Sequence, residues 1–278
     1  MKFYTLLALS LFITFISCSD SDEDSQGTTD MSESEDQMED TPVYSYYSLT
    51  NADNWQYDVT TDDMDTTQDN LEVIGLTEIN GTSFTDFESN VDSAGFITNL
   101  IAAGGLVESE GTLRYSGEVT IPLDETNNIS LLIPVLKLYD QSITTAGTEV
   151  DQITQTITQE IEGIPVTIDA LVTSTSGNTI ENSSINGVTF PRVLTATLTI
   201  NATISASILG VQVTLLESQD VIVTTNTYAQ NIGLVNSDLD FQYEFEDLSS
   251  FGVTLPFPES ASSITNQVIT TYDVAGDD

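Results

Sequence analysis

The chain has 278 residues, 39% of them hydrophobic, with 44 acidic residues against 4 basic ones, no histidine and one cysteine. That length is enough for one large domain with a real core, while a formal net charge of −40 repels phosphate backbones and excludes nucleic acid as a partner. Without an imidazole there is no catalytic triad of the usual kind, and without a second thiol there is no intrachain disulfide and no cysteine/histidine zinc site.

Met1-Lys2 gives a minimal positive start, and FYTLLALSLFITFIS, Phe3 to Ser17, is a continuous apolar run. It falls short of the roughly 20 residues that a spanning helix wants, so 1–17 is predicted to be a secretory signal peptide. The run ends in Phe15-Ile16-Ser17-Cys18, which resembles the lipobox of bacterial lipoproteins, with Phe15 where leucine is usual. The resemblance implies that Cys18 becomes an acylated N-terminus and anchors the protein to a membrane. Each buried methylene of such a chain contributes about 0.8 kcal/mol, and stable attachment takes more than one chain. Residues 19–40 hold ten Asp or Glu and no base, so 18–42 is predicted to be a solvated, disordered tether. Its opening, Ser19, Asp20, Asp22, Glu23 and Asp24, resembles the export signal of Bacteroidota-type surface lipoproteins, which implies a surface-exposed protein on the outer membrane. Asp20, Asp22 and Asp24 begin like a calcium loop, but Gly27 arrives two places late and Met31 stands where the bidentate glutamate belongs.

From residue 43 to 278 the texture is that of one β domain. Trp55, Tyr57 and Val59 alternate with polar neighbours, the period of a half-buried strand. DVTTDDMDTTQDNLE, residues 58–72, is predicted to be an acidic loop between strands. Within it Asp62, Asp63, Asp65 and Asp69 are the calcium candidates, because hard oxygen ligands on a loop suit that ion. No glycine enforces a tight turn there, so the expectation is a solvated loop, with no metal and no cofactor. SAGFITNLIAAGG, residues 93–105, is the one segment suited to a short helix, with Gly104-Gly105 as a turn after it.

Leu113, Tyr115, Val119 and Ile121 alternate again. In DQITQTITQEIEG, Ile153, Ile157 and Ile161 would suit a helix face or a strand. Thr154, Thr156 and Thr158 decide for the strand, because β-branched residues favour sheets. Gly163 and Pro165 then predict a turn into a strand that includes Val166, Ile168, Ala170 and Val172. The clearest strand is Leu194 to Ile208, where every even position is Leu, Ala or Ile and every odd one Thr, Asn or Ser. One antiparallel sheet of roughly nine to eleven strands is predicted.

YYSLTNADNWQYDVT resembles the opening of the β domain of a group of Bacteroidota-type surface-exposed lipoproteins of unassigned activity. Tyr46, Tyr47, Leu49, Asn54, Trp55 and Tyr57 match it, with Ser48 in place of a proline and Asp53 in place of a glycine. YAQNIGLVNS is similar to the closing motif of the same group through Tyr228, Ala229, Gly233, Leu234 and Val235, and NGVTFPRVLTATL to its middle strand. The resemblance implies a single antiparallel sheet curled into an open or half barrel, like that of lipoprotein carriers. The expected function is a binding module for a hydrophobic or glycan ligand on an outer-membrane or cell-surface lipoprotein. The alternative is a non-catalytic structural or adhesive envelope protein without a pocket, and an uncovered concave apolar face separates the two. Carboxylate-pair glycoside hydrolysis is the one catalytic chemistry left open, but no pair among 44 acids stands out by spacing, and no enzyme is expected.

Overall fold

In the computed structural model of the chain, the described residues are 42–275 apart from 63, 91–92, 123–127, 162–163, 209 and 248–257. The elements are β1 (Asn54–Thr61), β2 (Thr67–Ile79), β3 (Thr82–Ser89), α1 (Phe96–Ala102), β4 (Gly104–Ser109), β5 (Thr112–Pro122) and β6 (Asn128–Asp140). They continue with β7 (Glu149–Ile161), β8 (Ile164–Ile185), β9 (Val188–Ile208), β10 (Val211–Ala229), β11 (Gly233–Glu244) and β12 (Ser260–Asp273). The strands make one antiparallel sheet in the order β6-β5-β4-β3-β2-β1-β12-β11-β10-β9-β8-β7. The sheet curls until it is nearly a barrel, with one unsealed seam between its two edge strands.

Local chemistry sets the register. Asn80-Gly81 and Asn186-Gly187 join β2 to β3 and β8 to β9, with φ of 53° and 80° in the first pair and 49° and 79° in the second. Positive φ at both central positions is the two-residue hairpin turn whose twist matches that of the strands, and Asn-Gly is its preferred sequence. Between such turns the inward positions alternate. From 194 to 206 every even residue of β9 is buried and every odd one half-buried. The odd threonines are shouldered by neighbours, Thr199 lying between Thr173 of β8 and Val223 of β10.

Three sequence expectations change. Among the described residues the sheet has twelve strands, partly because Gly104-Gly105 opens β4 instead of forming a turn. Gly104 lies opposite Gly117 of β5, and a Cβ there would sit 2.6 Å from the Tyr115 ring and 2.8 Å from the Gly117 Cα. The pair is glycine so that two backbones and a ring can meet. Pro165 is the second residue of β8, opposite Glu160 of β7, so close to the start of the strand that its missing N–H is tolerated. The acidic stretch 58–72 is mostly strand, with Asp58 in β1 and Asp69 and Glu72 in β2.

The seam is held without a ladder. Gln155 Nε2 of β7 donates to the Leu132 carbonyl of β6, and Gln159 Nε2 of β7 donates to the Asn128 carbonyl at 2.6 Å. Ser174 Oγ of β8 donates to the Lys137 carbonyl at 2.5 Å, while the Lys137 N–H donates to Asp151 Oδ2 of β7 at 2.9 Å. Side chains thus occupy backbone groups that an open edge would leave to water. The outer face is polar, as in β11 with Asn236, Asp238, Asp240, Gln242 and Glu244.

The register yields a direct check. Ile200 has no exposure, and an aspartate there would bury an unpaired charge. Ile200→Asp is expected to unfold the domain or lower its Tm drastically, and Thr199→Asp to shift it by only a few degrees. Comparable melting of the two variants would contradict the inward face of β9.

Candidate functional site

Residues before β1 enter the barrel interior at the end where β1 begins. Tyr46 and Tyr47 are buried there with Trp55, Phe87, Tyr139 and Tyr228, and neighbouring rings lie 5.0 to 6.3 Å apart in tilted or edge-on pairs. Such pairs contribute about 0.5–1.5 kcal/mol each beyond their buried area. Two polar tips beside the cluster reach backbone carbonyls, while the Tyr47 hydroxyl is buried without a hydrogen-bond partner among the described residues. Trp55 Nε1 donates to the Ile232 carbonyl at 2.9 Å, and the Tyr57 hydroxyl donates to the Leu234 carbonyl at 3.1 Å.

Glu108 ties this segment down. It accepts from the Tyr46 N–H at 2.9 Å, the Tyr47 N–H at 3.3 Å, the Tyr139 hydroxyl at 2.6 Å and the Ser45 hydroxyl. Arg192 holds the same segment from outside, with Nε donating to the Tyr46 hydroxyl at 2.8 Å, a salt bridge to Glu181, and its guanidinium 4.3 Å from the Tyr44 ring centre. Burial pushes the phenols of Tyr47, Tyr57, Tyr139 and Tyr228 well above their ordinary range, and Glu108 adds to the effect on Tyr139. The neutral phenols contribute stability that is complete below about pH 10 and is lost as pH rises through their folded values. This end is packed shut.

The other end differs. Where β1 finishes, Thr61 begins a cavity of about 580 Å³. The inward faces of β10, β11 and β12 form one wall with Ile222, Leu239, Phe241, Ser263 and Thr265, and α1 forms the facing wall with Phe96, Asn99 and Leu100. Glu118, Thr120 and Pro122 of β5, all exposed, make a rim. Phe96, Leu239 and Phe241 are half-buried and packed against the core, and part of their apolar surface faces the cavity. The volume falls in the range of small-molecule sites, about 300–1,000 Å³. Among the described residues Glu118 is the one ionisable side chain in the lining.

α1 is placed by two buried polar residues. Asp69 of β2, 1% exposed, accepts from the Ala94 and Gly95 N–H groups at 2.8 Å each. Gln267 of β12 donates to Thr98 Oγ1 at 2.8 Å. The helix has no side-chain cap of its own, so Asp69 and Gln267 fix where the cavity wall stands.

Comparison with models of known protein families, with curated proteins and with solved structures found no match.

The calcium candidates do not come together. Asp69 is bonded to backbone amides inside the barrel, and Asp62 Oδ1 accepts from the Ile264 N–H at 2.9 Å. Asp65 is exposed in the β1–β2 connection, and Asp63 lies outside the described residues. Among the described residues no three acidic side chains are grouped to hold a metal ion. Cys18, Ser19, Asp20, Asp22, Glu23 and Asp24 also lie outside the described residues. Sequence reasoning missed the cavity because its walls come from separate elements. The usable signal was Leu239 and Phe241, apolar on alternate positions of β11.

Asp69 supplies a test. Removing a buried acceptor from two backbone donors costs about 1–3 kcal/mol, so Asp69→Ala is expected to lower Tm clearly, whereas Asp65→Ala leaves it within about a degree. Equal effects in thermal melts would contradict the assigned role of Asp69.

Proposed function

We propose that this is a lipid-anchored envelope protein whose β domain is a binding module for a hydrophobic ligand, held at the outer cell surface by an acylated Cys18. The observation that carries the binding reading is the cavity beside α1, where half-buried Phe96, Leu239 and Phe241 line about 580 Å³ of open space. A purely structural or adhesive β domain has no use for apolar surface left uncovered at one end of an otherwise packed barrel, since such surface is a liability unless something fills it. The apolar lining favours a hydrophobic ligand over a glycan.

The anchor rests on sequence. The apolar leader, the Phe15-Ile16-Ser17-Cys18 junction and the acids at 20, 22, 23 and 24 fit a lipoprotein carried to the outer leaflet.

Two measurements check the two halves. Nile red, an uncharged dye that brightens in apolar surroundings, is expected to bind the β domain saturably. Ser263→Trp, which fills the cavity from a half-buried wall position, is expected to weaken binding at least tenfold without changing Tm by more than a few degrees. Binding unaffected by Ser263→Trp, or no binding, would favour the pocketless reading. For the anchor, Cys18→Ala is expected to move the protein from the membrane pellet to the soluble fraction, and equal pelleting would overturn it.

A further inference from the structure

The charge of the cavity selects its ligand. Residues 19–40 hold ten of the 44 acids, which leaves 34 acids in the rest of the chain against Arg114, Lys137 and Arg192 as the only bases beyond Lys2. Lys137 is engaged with Asp140 at 3.3 Å, and Arg192 with Glu181 and the Tyr46 hydroxyl, at the end of the barrel opposite the cavity. Arg114 lies across from Lys137 in the β5–β6 ladder and is absent from the lining. None of the segments lacking a described conformation contains a Lys or Arg after residue 2. No residue of this chain can therefore neutralise an anionic head group at the cavity.

The lining has the opposite provision. Apolar side chains (Phe96, Leu100, Ile222, Leu239, Phe241) form the body of the cavity, while Glu118 stands exposed at its rim beside Thr120. A carboxylate at the mouth and apolar surface inside match a molecule with an apolar tail and a positively charged head. The field of the domain reinforces this, since clefts of one sign concentrate ligands of the other. Resting on the binding reading above, we infer that the cavity takes a cationic amphiphile, an alkylamine in chemical class, with its tail against α1 and β10–β12 and its ammonium at Glu118. Fatty-acid carboxylates are rejected, because they would lie beside Glu118 with no base to pair with.

The test uses three ligands that share one tail: dodecylamine, dodecanol and dodecanoate, each competing with Nile red for the β domain near pH 7 at low salt. The amine is expected to bind about fivefold more tightly than the alcohol, the scale of one exposed ion pair, and dodecanoate is expected to be weakest. Raising the salt should narrow the spread, because the pair is screened. Glu118→Gln is expected to close the gap between amine and alcohol, and Thr120→Lys to move dodecanoate up the order. Glu118 and Thr120 are exposed, so both variants keep the fold, which a thermal melt verifies. Dodecanoate binding as tightly as the amine, or a preference for the amine that survives Glu118→Gln, would overturn the inference while leaving the cavity a binding site. A failure of Nile red itself to bind would remove the binding reading first.

Discussion

A single sheet has two edges, and everything else in this domain depends on how those edges meet. β6 and β7 lie side by side without exchanging a ladder, yet several backbone groups of β6 at the seam have side-chain partners. Gln155, Gln159 and Ser174 donate to carbonyls of β6, and Asp151 takes the Lys137 N–H. The contacts come from side chains one strand away, so the curvature of the sheet is set by their length rather than by the fixed spacing of strands about 4.8 Å apart. That curvature brings the inward faces of β10–β12 opposite α1 and leaves the space between them.

The same economy of cations shapes the interior. Buried carboxylates usually find an arginine or lysine, but this chain has few to offer. Asp53, Asp69 and Glu108 bind backbone N–H groups and hydroxyls instead. Asp53 accepts from the Ser48 hydroxyl at 2.6 Å, the Thr50 N–H at 2.8 Å and the Ala275 N–H at 2.8 Å, tying the entering segment to the end of β12. Glu108 holds the tyrosine segment and Asp69 holds α1. Charge-assisted hydrogen bonds of this kind are stronger than neutral ones. Each of the three fixes a piece of chain that no strand ladder fixes, and one of those pieces is a wall of the cavity.

Much of this was legible in the residues and some was not. The period of two in Leu194 to Ile208 and the alternation of Trp55, Tyr57 and Val59 gave the all-β fold and the inward faces, because alternation follows from strand geometry alone. The helix at Phe96–Ala102 was readable because it interrupts that alternation. β4 was not, since a glycine pair reads as a turn unless its partner Gly117 and the Tyr115 ring are known. Asp69 was read as part of a solvated loop because its partners, the amides of Ala94 and Gly95, lie 25 and 26 residues away. The cavity was the least legible feature. Whether an inward Phe241 is covered depends on α1, and nothing near position 241 records where α1 stands.

We propose that the space between α1 and β10–β12 receives an apolar ligand. Hydrogen exchange of the β domain with and without saturating Nile red tests it most directly. Slower exchange confined to segments 96–103, 220–223, 238–242 and 262–266 is the expected result. Protection elsewhere, such as along the Thr-rich outer face of β8 and β9, or no change in any segment, would contradict it.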